Sequence, residues 1–282
     1  MIKRVLVTGK NGQLGQSLQK IAGDYPQFDF IFVGRDELDL AHSETITAFF
    51  ADKKFDAIIN CAAHTAVDKA ESEPQLAGQI NHLAVKQLAH IAKQMDAMLI
   101  HISTDYVFDG TSHKPYMETD PTNPKNVYGL TKLKGEQAIN PKGTIIRTSW
   151  VYSEFGNNFV KTMLRLGQDR DSLNIIFDQI GSPTYATDLA EACLAVIARN
   201  YSDVAIYHYS NEGVCSWYDF AKAIFQIANI NCQVNPIEAK YYPAPAKRPY
   251  YSIMNKAKIK KSYNLAIPYW RDSLKVCLSQ IK

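Results

Sequence analysis

At 282 residues the chain has room for one large domain or two smaller ones with an ample core. Hydrophobic residues at 46% and charged residues at 21% are ordinary for a soluble globular protein, and a formal net charge of +3 is too small to argue for nucleic acid or an anionic membrane. Five scattered cysteines without a Cys-x-x-Cys pair argue against a disulfide framework and fit a reducing compartment. Met1 runs directly into an expected strand, which leaves no room for a signal peptide, and no apolar run approaches the ~20 residues of a membrane span. The expected location is the cytoplasm.

Ile2 to Val7 is a short apolar, β-branched run, followed at once by Thr8-Gly9-Lys-Asn-Gly12-Gln-Leu-Gly15. Beyond Gly12 the pattern turns helical, with Leu14, Leu18 and Ile21 at spacings of four and three. A strand, a glycine turn and a helix form the setting of a dinucleotide phosphate site, where backbone approaches closely and a helix N-terminus offers N–H groups to a diphosphate. Phe28 to Val33 reads as the second strand, ending at Gly34-Arg35-Asp36. The slot about twenty residues past the last glycine, where an acid would hold the adenosine ribose, falls on Arg35. A cation there suits a 2′-phosphate and so NADPH; Asp36 beside it keeps NADH open, and the competing reading of Arg35 is an exposed loop charge.

Phe55 to Asn60 is a third strand, opening onto Cys61-Ala62-Ala63-His64-Thr65, small residues that let a cofactor lie close. His64 reads as structural or as a neighbour of the substrate in preference to a catalytic base, since no triad partners are evident. Gln79 to Met95 is expected to be one amphipathic helix with Ile80, Leu83, Leu88, Ile91 and Met95 inward. The strand from Ala97 to Ile102 ends in Ser103-Thr104-Asp105-Tyr106, placing hydroxyls where a reacting oxygen would sit. The competing reading of Ser103 and Thr104 is a turn or backbone cap.

Next comes Asn126-Val-Tyr128-Gly-Leu-Thr-Lys132; on a helix, Tyr128 and Lys132 stand one turn apart on one face. A phenol has an ordinary pKa of about 10, and a lysine ammonium beside it is expected to draw that value down towards the working range. Four repeats of strand then helix imply an α/β fold with a doubly wound parallel sheet. After the strand from Thr144 to Arg147 the alternation loosens: helices are expected from Gly156-Asn157-Asn158-Phe159 through Leu166, from Asp188 to Ala198 and from Trp217 to Ala228, with a strand from Ala205 to Tyr209. The division expected is a dinucleotide-binding domain over 1–150 with later returns near 174–209, and a smaller, discontinuous C-terminal α/β substrate domain over 151–282. The proline-rich stretch from Tyr241 to Pro249 reads equally as a loop closing over a charged substrate and as a surface connector. The Lys-rich run from Asn255 to Lys261 reads as a solvated helix face.

Gly9-x-x-Gly12-x-x-Gly15, Thr104 and Tyr128-x-x-x-Lys132 together resemble the extended short-chain dehydrogenase/reductase superfamily. Longer stretches narrow the resemblance to its dTDP-4-dehydrorhamnose reductases: Cys61 to Pro74, Ser103 to Gly110, Arg147 to Tyr152, Gly156-Asn-Asn-Phe159 and Gly181-Ser-Pro-Thr184. The resemblance implies hydride transfer from NAD(P)H to the C4 ketone of a dTDP-linked 4-keto-6-deoxy sugar. It implies Thr104, Tyr128 and Lys132 as the catalytic set, with Tyr128 protonating the C4 alkoxide, Thr104 bonding the same oxygen and Lys132 tuning the tyrosine and holding the nicotinamide ribose. Cofactor contacts are implied at Gly9, Asn11, Gly12, Gln13, Leu14, Gly15, Arg35, Asp39, Leu40, Asn60, Cys61, Ala62, Ala63 and Thr65. The substrate is implied to meet Thr65, Val67, Asp105, Tyr106 and Trp150, with Asn158 and Arg248 towards the nucleotide.

Some members form a metal-linked dimer through an acid in the first helix and an acidic pair near the Gly-x-Pro-Thr segment. Those positions here are Ser17 and Thr187-Asp188, too little hard-oxygen charge for Mg²⁺. No metal is expected, and a monomer or weak homodimer is. Rival readings are a dehydratase, which typically carries Thr-Asp-Glu where this chain has Thr104-Asp105-Tyr106, another reductase or an epimerase of the same superfamily, and a non-catalytic NADP-binding regulatory subunit.

Overall fold

The computed structural model describes residues 2–139, 143–199 and 205–281. Its first half runs β1 (Lys3–Thr8), α1 (Gln13–Ile21), β2 (Phe28–Val33), α2 (Ser43–Phe50), β3 (Ala57–Asn60), α3 (Val67–Ser72), α4 (Pro74–Gly78), a π-helical turn (Gln79–Leu83), α5 (Ala84–Met95), β4 (Met98–Thr104), α6 (Val127–Ala138) and β5 (Thr144–Thr148). The second half comprises β6 (Val151–Tyr152), α7 (Phe159–Asp169), β7 (Ser172–Ile176), β8 (Ile180–Gly181), β9 (Thr184–Tyr185), α8 (Ala186–Arg199), β10 (Ala205–His208), β11 (Cys215–Ser216), α9 (Trp217–Ala228), β12 (Gln233–Ile237), α10 (Ala257–Tyr263) and α11 (Trp270–Gln280).

Six strands form one sheet in the order β10-β5-β4-β3-β1-β2, and every neighbouring pair is parallel. Parallel strands covered on both faces need continuous apolar runs, and Val5, Leu6 and Val7 are all fully buried. The chain steps outward from β1 to β2 and then returns past β1 to β3, so the order reverses between β1 and β3. That reversal opens a crevice at the carboxyl ends of the strands, where ligands of open α/β sheets bind.

Two cores sandwich the sheet. On one face Val5, Val7 and Ile59 pack under Leu18 of α1, Leu189 and Ile197 of α8 and Ile259 of α10. On the other, Leu6, Ile58 and Leu99 meet Ile46 of α2 and Val85 and Leu88 of α5. Each fully buried branched aliphatic side chain contributes roughly 1.5–3 kcal/mol. A third cluster joins α7, α9 and α11 through Val160, Met163, Phe220, Ile224 and Leu274, over Tyr152 and Tyr185. Beside it, β7 and β12 pair in parallel as a separate ribbon.

Two expectations change. The helix expected from Gln79 to Met95 begins with a π turn, whose extra residue shifts the phase and leaves Leu83 47% exposed instead of inward. The basic run is helical from Ala257, but it is not a solvated face throughout. Lys256 is buried against Glu212 at 3.3 Å, and Lys260 pairs with the same carboxylate at 2.7 Å. Among the described residues no helix is long and apolar enough to cross a membrane.

Candidate active site

The glycine turn stands at the β1/β3 reversal. Gly9 has φ +70°, and a Cβ there would lie 2.8 Å from the Ala62 amide nitrogen after β3. Only glycine therefore lets the two strand ends close on each other. Gly12 caps α1 without a side-chain bond, which leaves first-turn N–H groups facing the crevice. These features fit a dinucleotide diphosphate.

The expected cofactor positions divide. Asn11 and Gly12 are exposed on the turn, and Cys61, Ala62 and Ala63 lie half-buried beside it. Leu14 and Leu40, in contrast, send their side chains into the two cores, so each can offer a ligand only its backbone. Gln13 also spends its side chain on the protein: Nε2 donates to the Val151 carbonyl at 3.1 Å, and Oε1 accepts from Ser153 and Asn158. At the adenosine end Arg35 is exposed, and its Nε donates to Asp39 at 3.1 Å; against the effect of burial, the Ala41 amide and then Arg35 hold that carboxyl below its ordinary range. Lys10 pairs with Glu37 at the same edge, a second cation that the sequence reading did not single out.

At the end of β4, Thr104 Oγ1 donates to Asp105 at 3.0 Å and accepts the Tyr106 amide at 3.2 Å. Asn126 caps α6 by accepting the Gly129 amide at 2.7 Å, and that start places Tyr128 and Lys132 on the face that meets β4. The Tyr128 ring packs edge-on against Tyr106 at 5.6 Å between centroids. Burial pushes the Tyr128 phenol up to about 12, against a hydrogen bond with Thr104 that pulls the other way. Burial likewise draws Lys132 down to about 8, opposed by Glu136. The expectation that Lys132 lowers the phenol's pKa is thus not met here: burial and the Asp105 charge raise it, and Lys132 Nζ donates instead to the Ile102 carbonyl at 2.6 Å. A phenol that stays protonated is the form a proton donor needs. Asp105 is buried, and its carboxyl is pushed up to about 6 by that burial, despite hydrogen bonds from Ser252 and Thr104.

A cavity of about 970 Å³ opens between α7, β7 and the 239–250 loop. Phe159, Trp217, Tyr242 and Tyr250 supply aromatic faces, and Arg170, Lys247 and Arg248 supply cations. The proline-rich loop therefore lines a cavity, and it is tied down. Arg248 makes a two-point pair with Asp68 at 2.7 and 3.1 Å, and Asn126 Nδ2 donates to the Lys247 carbonyl at 2.8 Å.

Trp150, held at φ 50°, stacks on Trp217 at 3.6 Å between centroids. A Cβ on Gly181 would lie 2.5 Å from that indole, so glycine is required where the ring lies over β8. Thr65 is exposed and Val67 half-buried where α3 begins.

Asn158 is not with this group. It caps α7, accepting the Lys161 amide at 3.1 Å, and its Nδ2 donates to Gln13, Ser153 and Phe155, so no polar atom is left for a nucleotide. His64 is structural in its contacts: its amide donates to Asn81 Oδ1 at 2.8 Å and its Nε2 lies 3.1 Å from Glu73. Trp217 was missed because a lone tryptophan opening a helix reads as core. A metal does not fit the first-helix position. Ser17 is fully buried on α1, and Asp188 Oδ2 is already taken by Asn211 and Ser273, each at 2.5 Å. Among the described residues no group of three or more His, Cys, Asp or Glu is arranged to hold a metal ion.

With its crevice at the β1/β3 reversal and its hydroxyl corner at the end of β4, the molecule falls in the class of Rossmann-fold short-chain dehydrogenases/reductases. The chain belongs, more narrowly, to the RmlD substrate binding domain family, which matches residues 3–282. It is 43% identical to a dTDP-4-dehydrorhamnose reductase of Sinorhizobium fredii, over 96% of this chain and 95% of that protein. A solved dTDP-4-dehydrorhamnose reductase from Clostridium acetobutylicum superposes with a TM-score of 0.92 at 42% identity, covering 98% of both chains. Another, from Bacillus anthracis in complex with NADP, superposes with a TM-score of 0.94 at 38% identity, covering 99% of this chain and all of that one.

Proposed function

We propose that this protein reduces the C4 ketone of dTDP-4-dehydro-L-rhamnose to dTDP-L-rhamnose, in nucleotide-sugar synthesis for cell-surface polysaccharide, as a cytoplasmic monomer or weak homodimer. The observation that supports it best is the Thr104, Tyr128 and Lys132 set at the end of β4, whose helix cap Asn126 is bonded to the loop that lines an aromatic cavity edged with cations. NADPH, when bound, supplies the hydride. The amides at the start of α1 would hold its diphosphate, Arg35 its 2′-phosphate and Lys132 its nicotinamide ribose. Hydride arrival at C4 leaves an alkoxide, and Tyr128 Oη gives it a proton while Thr104 hydrogen-bonds the same oxygen. Aromatic faces from Trp217 and Tyr250 take the pyrimidine, and Arg248 takes the diphosphate.

Purified protein incubated with dTDP-4-dehydro-L-rhamnose and NADPH should oxidise one NADPH per sugar reduced. Isomerised sugar without NADPH oxidation would make it an epimerase, and an unchanged mixture would make it a binding subunit. Arg35→Ala should weaken inhibition by 2′,5′-ADP by roughly three- to tenfold and leave inhibition by 5′-ADP in place, since the exposed guanidinium contributes one charge-assisted contact. Equal inhibition of both proteins by 2′,5′-ADP would remove the 2′-phosphate assignment. Because Ser17 and Asp188 offer no cation site, sedimentation velocity should be the same with and without EDTA; loss of a dimer on chelation would contradict this.

A further inference from the structure

Lys132 Nζ lies at one end of a hydrogen-bonded chain that the reduction, as derived above, leaves unused. Besides its bond to the Ile102 carbonyl, Nζ stands 3.2 Å from Nε2 of His101, a fully buried residue on β4. The other ring nitrogen, Nδ1, is 3.1 Å from the side-chain amide of Asn60 at the end of β3. Thr8 Oγ1 donates to Asn60 Oδ1 at 2.7 Å, so that Asn60 Nδ2 faces the ring, and Thr8 accepts the Ala62 amide at 3.3 Å. The chain thus crosses three adjacent strands, from the catalytic lysine to the floor of the glycine turn.

His101 stays neutral here, because burial pushes its pKa well down and the charge of Lys132 adds to the effect. A neutral imidazole has one donor nitrogen and one acceptor nitrogen. Opposite an ammonium, Nε2 must accept and Nδ1 carries the proton, which requires the Asn60 amide to turn over so that its carbonyl faces the ring and its NH2 faces Thr8 Oγ1. Opposite an uncharged amine the chain runs the other way, from the Thr8 hydroxyl through Asn60 to Nδ1 and from Nε2–H to Nζ. Both directions are satisfied, but unequally: a hydrogen bond from an ammonium is about twice as strong as one between neutral groups. The ring therefore favours the charged lysine over a wholly apolar neighbour. Other titratable groups facing Lys132 are few. Glu136 lies one turn along α6 but is held by Arg147 of β5 through Nε and Nη2, and Tyr128 lies one turn back.

We propose that His101 is a positioning residue for the reduction, fixing Lys132 Nζ against the Thr8–Asn60 pair so that the strands set both its place and its proton. The role in turnover rests on the reductase reading above; the link to Lys132 does not. The test is the Lys132 resonance in protein labelled with [13Cε]lysine, assigned by its loss in Lys132→Met and followed against pH, alongside the pH profile of kcat for NADPH oxidation. In His101→Phe the Lys132 midpoint and the alkaline limb of kcat should both fall by about half to one pH unit. His101→Gln places an amide where Nε2 stands and should keep the midpoint near wild type, whereas His101→Asn reaches only the Nδ1 position and should behave like His101→Phe. The Gln–Asn comparison decides alone if the Phe variant does not fold. A Lys132 midpoint unmoved in His101→Asn overturns the proposal, whatever happens to Tm. A shifted resonance in a protein whose wild type oxidises no NADPH upholds the link to Lys132 and removes the reduction it was assigned to serve.

Discussion

Replacing Tyr128 with Phe should slow the chemical step about 10²–10⁴-fold, the usual cost of losing a general acid. Only Oη is lost. The ring keeps its edge contact with Tyr106, and the helix keeps its Asn126 cap, so NADPH binding should be preserved. Thr104 is a poor substitute, because an alkyl hydroxyl is a far weaker acid than a phenol. Single-turnover oxidation of NADPH, with a fluorescence titration of cofactor binding, separates the two effects. Near-wild-type turnover in Tyr128→Phe would overturn the proton-donor assignment.

The largest effect on stability is expected at Glu136. Its carboxylate accepts from Arg147 Nη2 at 2.7 Å and from Ser103 Oγ at 2.5 Å, and both charged side chains are 3% exposed. Glu136→Ala strands the Arg147 guanidinium in the core against the Phe108 ring, 5.1 Å away, without its carboxylate, and should cost about 3–5 kcal/mol in urea unfolding. Removing both charges, as Glu136→Leu with Arg147→Met, should recover most of that loss, because two apolar side chains need no counter-charge. A double variant as unstable as the single one would show that the pair stabilises beyond its mutual neutralisation.

Much of the sheet was legible in the chain because its strands carry short, mostly apolar, β-branched or aromatic runs, although Asp29, His101 and Arg147 interrupt three of them. β2 and α9 lie at their expected bounds, and the other expected elements deviate by a few residues at their ends. The two-residue strands β6, β8, β9 and β11 were not legible, since two residues carry no periodicity. Asn158 misled for a specific reason: an Asn before an amphipathic helix suits a ligand contact and a cap equally, and only the Lys161 amide distinguishes them. The pKa of Tyr128 was misjudged because a four-residue spacing displays the neighbouring lysine and hides the burial. The bond between His101 and Lys132 joins positions 31 residues apart and leaves no pattern along the chain.

The π turn from Gln79 to Leu83 bears on which length changes this protein could tolerate. In effect it is a one-residue insertion in a helix, and it sets the side chain of Asn81 between two partners. Nδ2 reaches the His64 carbonyl at 3.1 Å and Thr131 on the catalytic helix at 3.2 Å. Deleting exposed Leu83 would restore an ordinary α-helical register, a change that looks harmless for local stability. It would also turn Asn81 by about 100° relative to α5, as one residue of a 3.6-residue turn requires, and so uncouple the loop after β3 from the helix bearing Tyr128. Homologues with a deletion here would need a second change to recover that bridge.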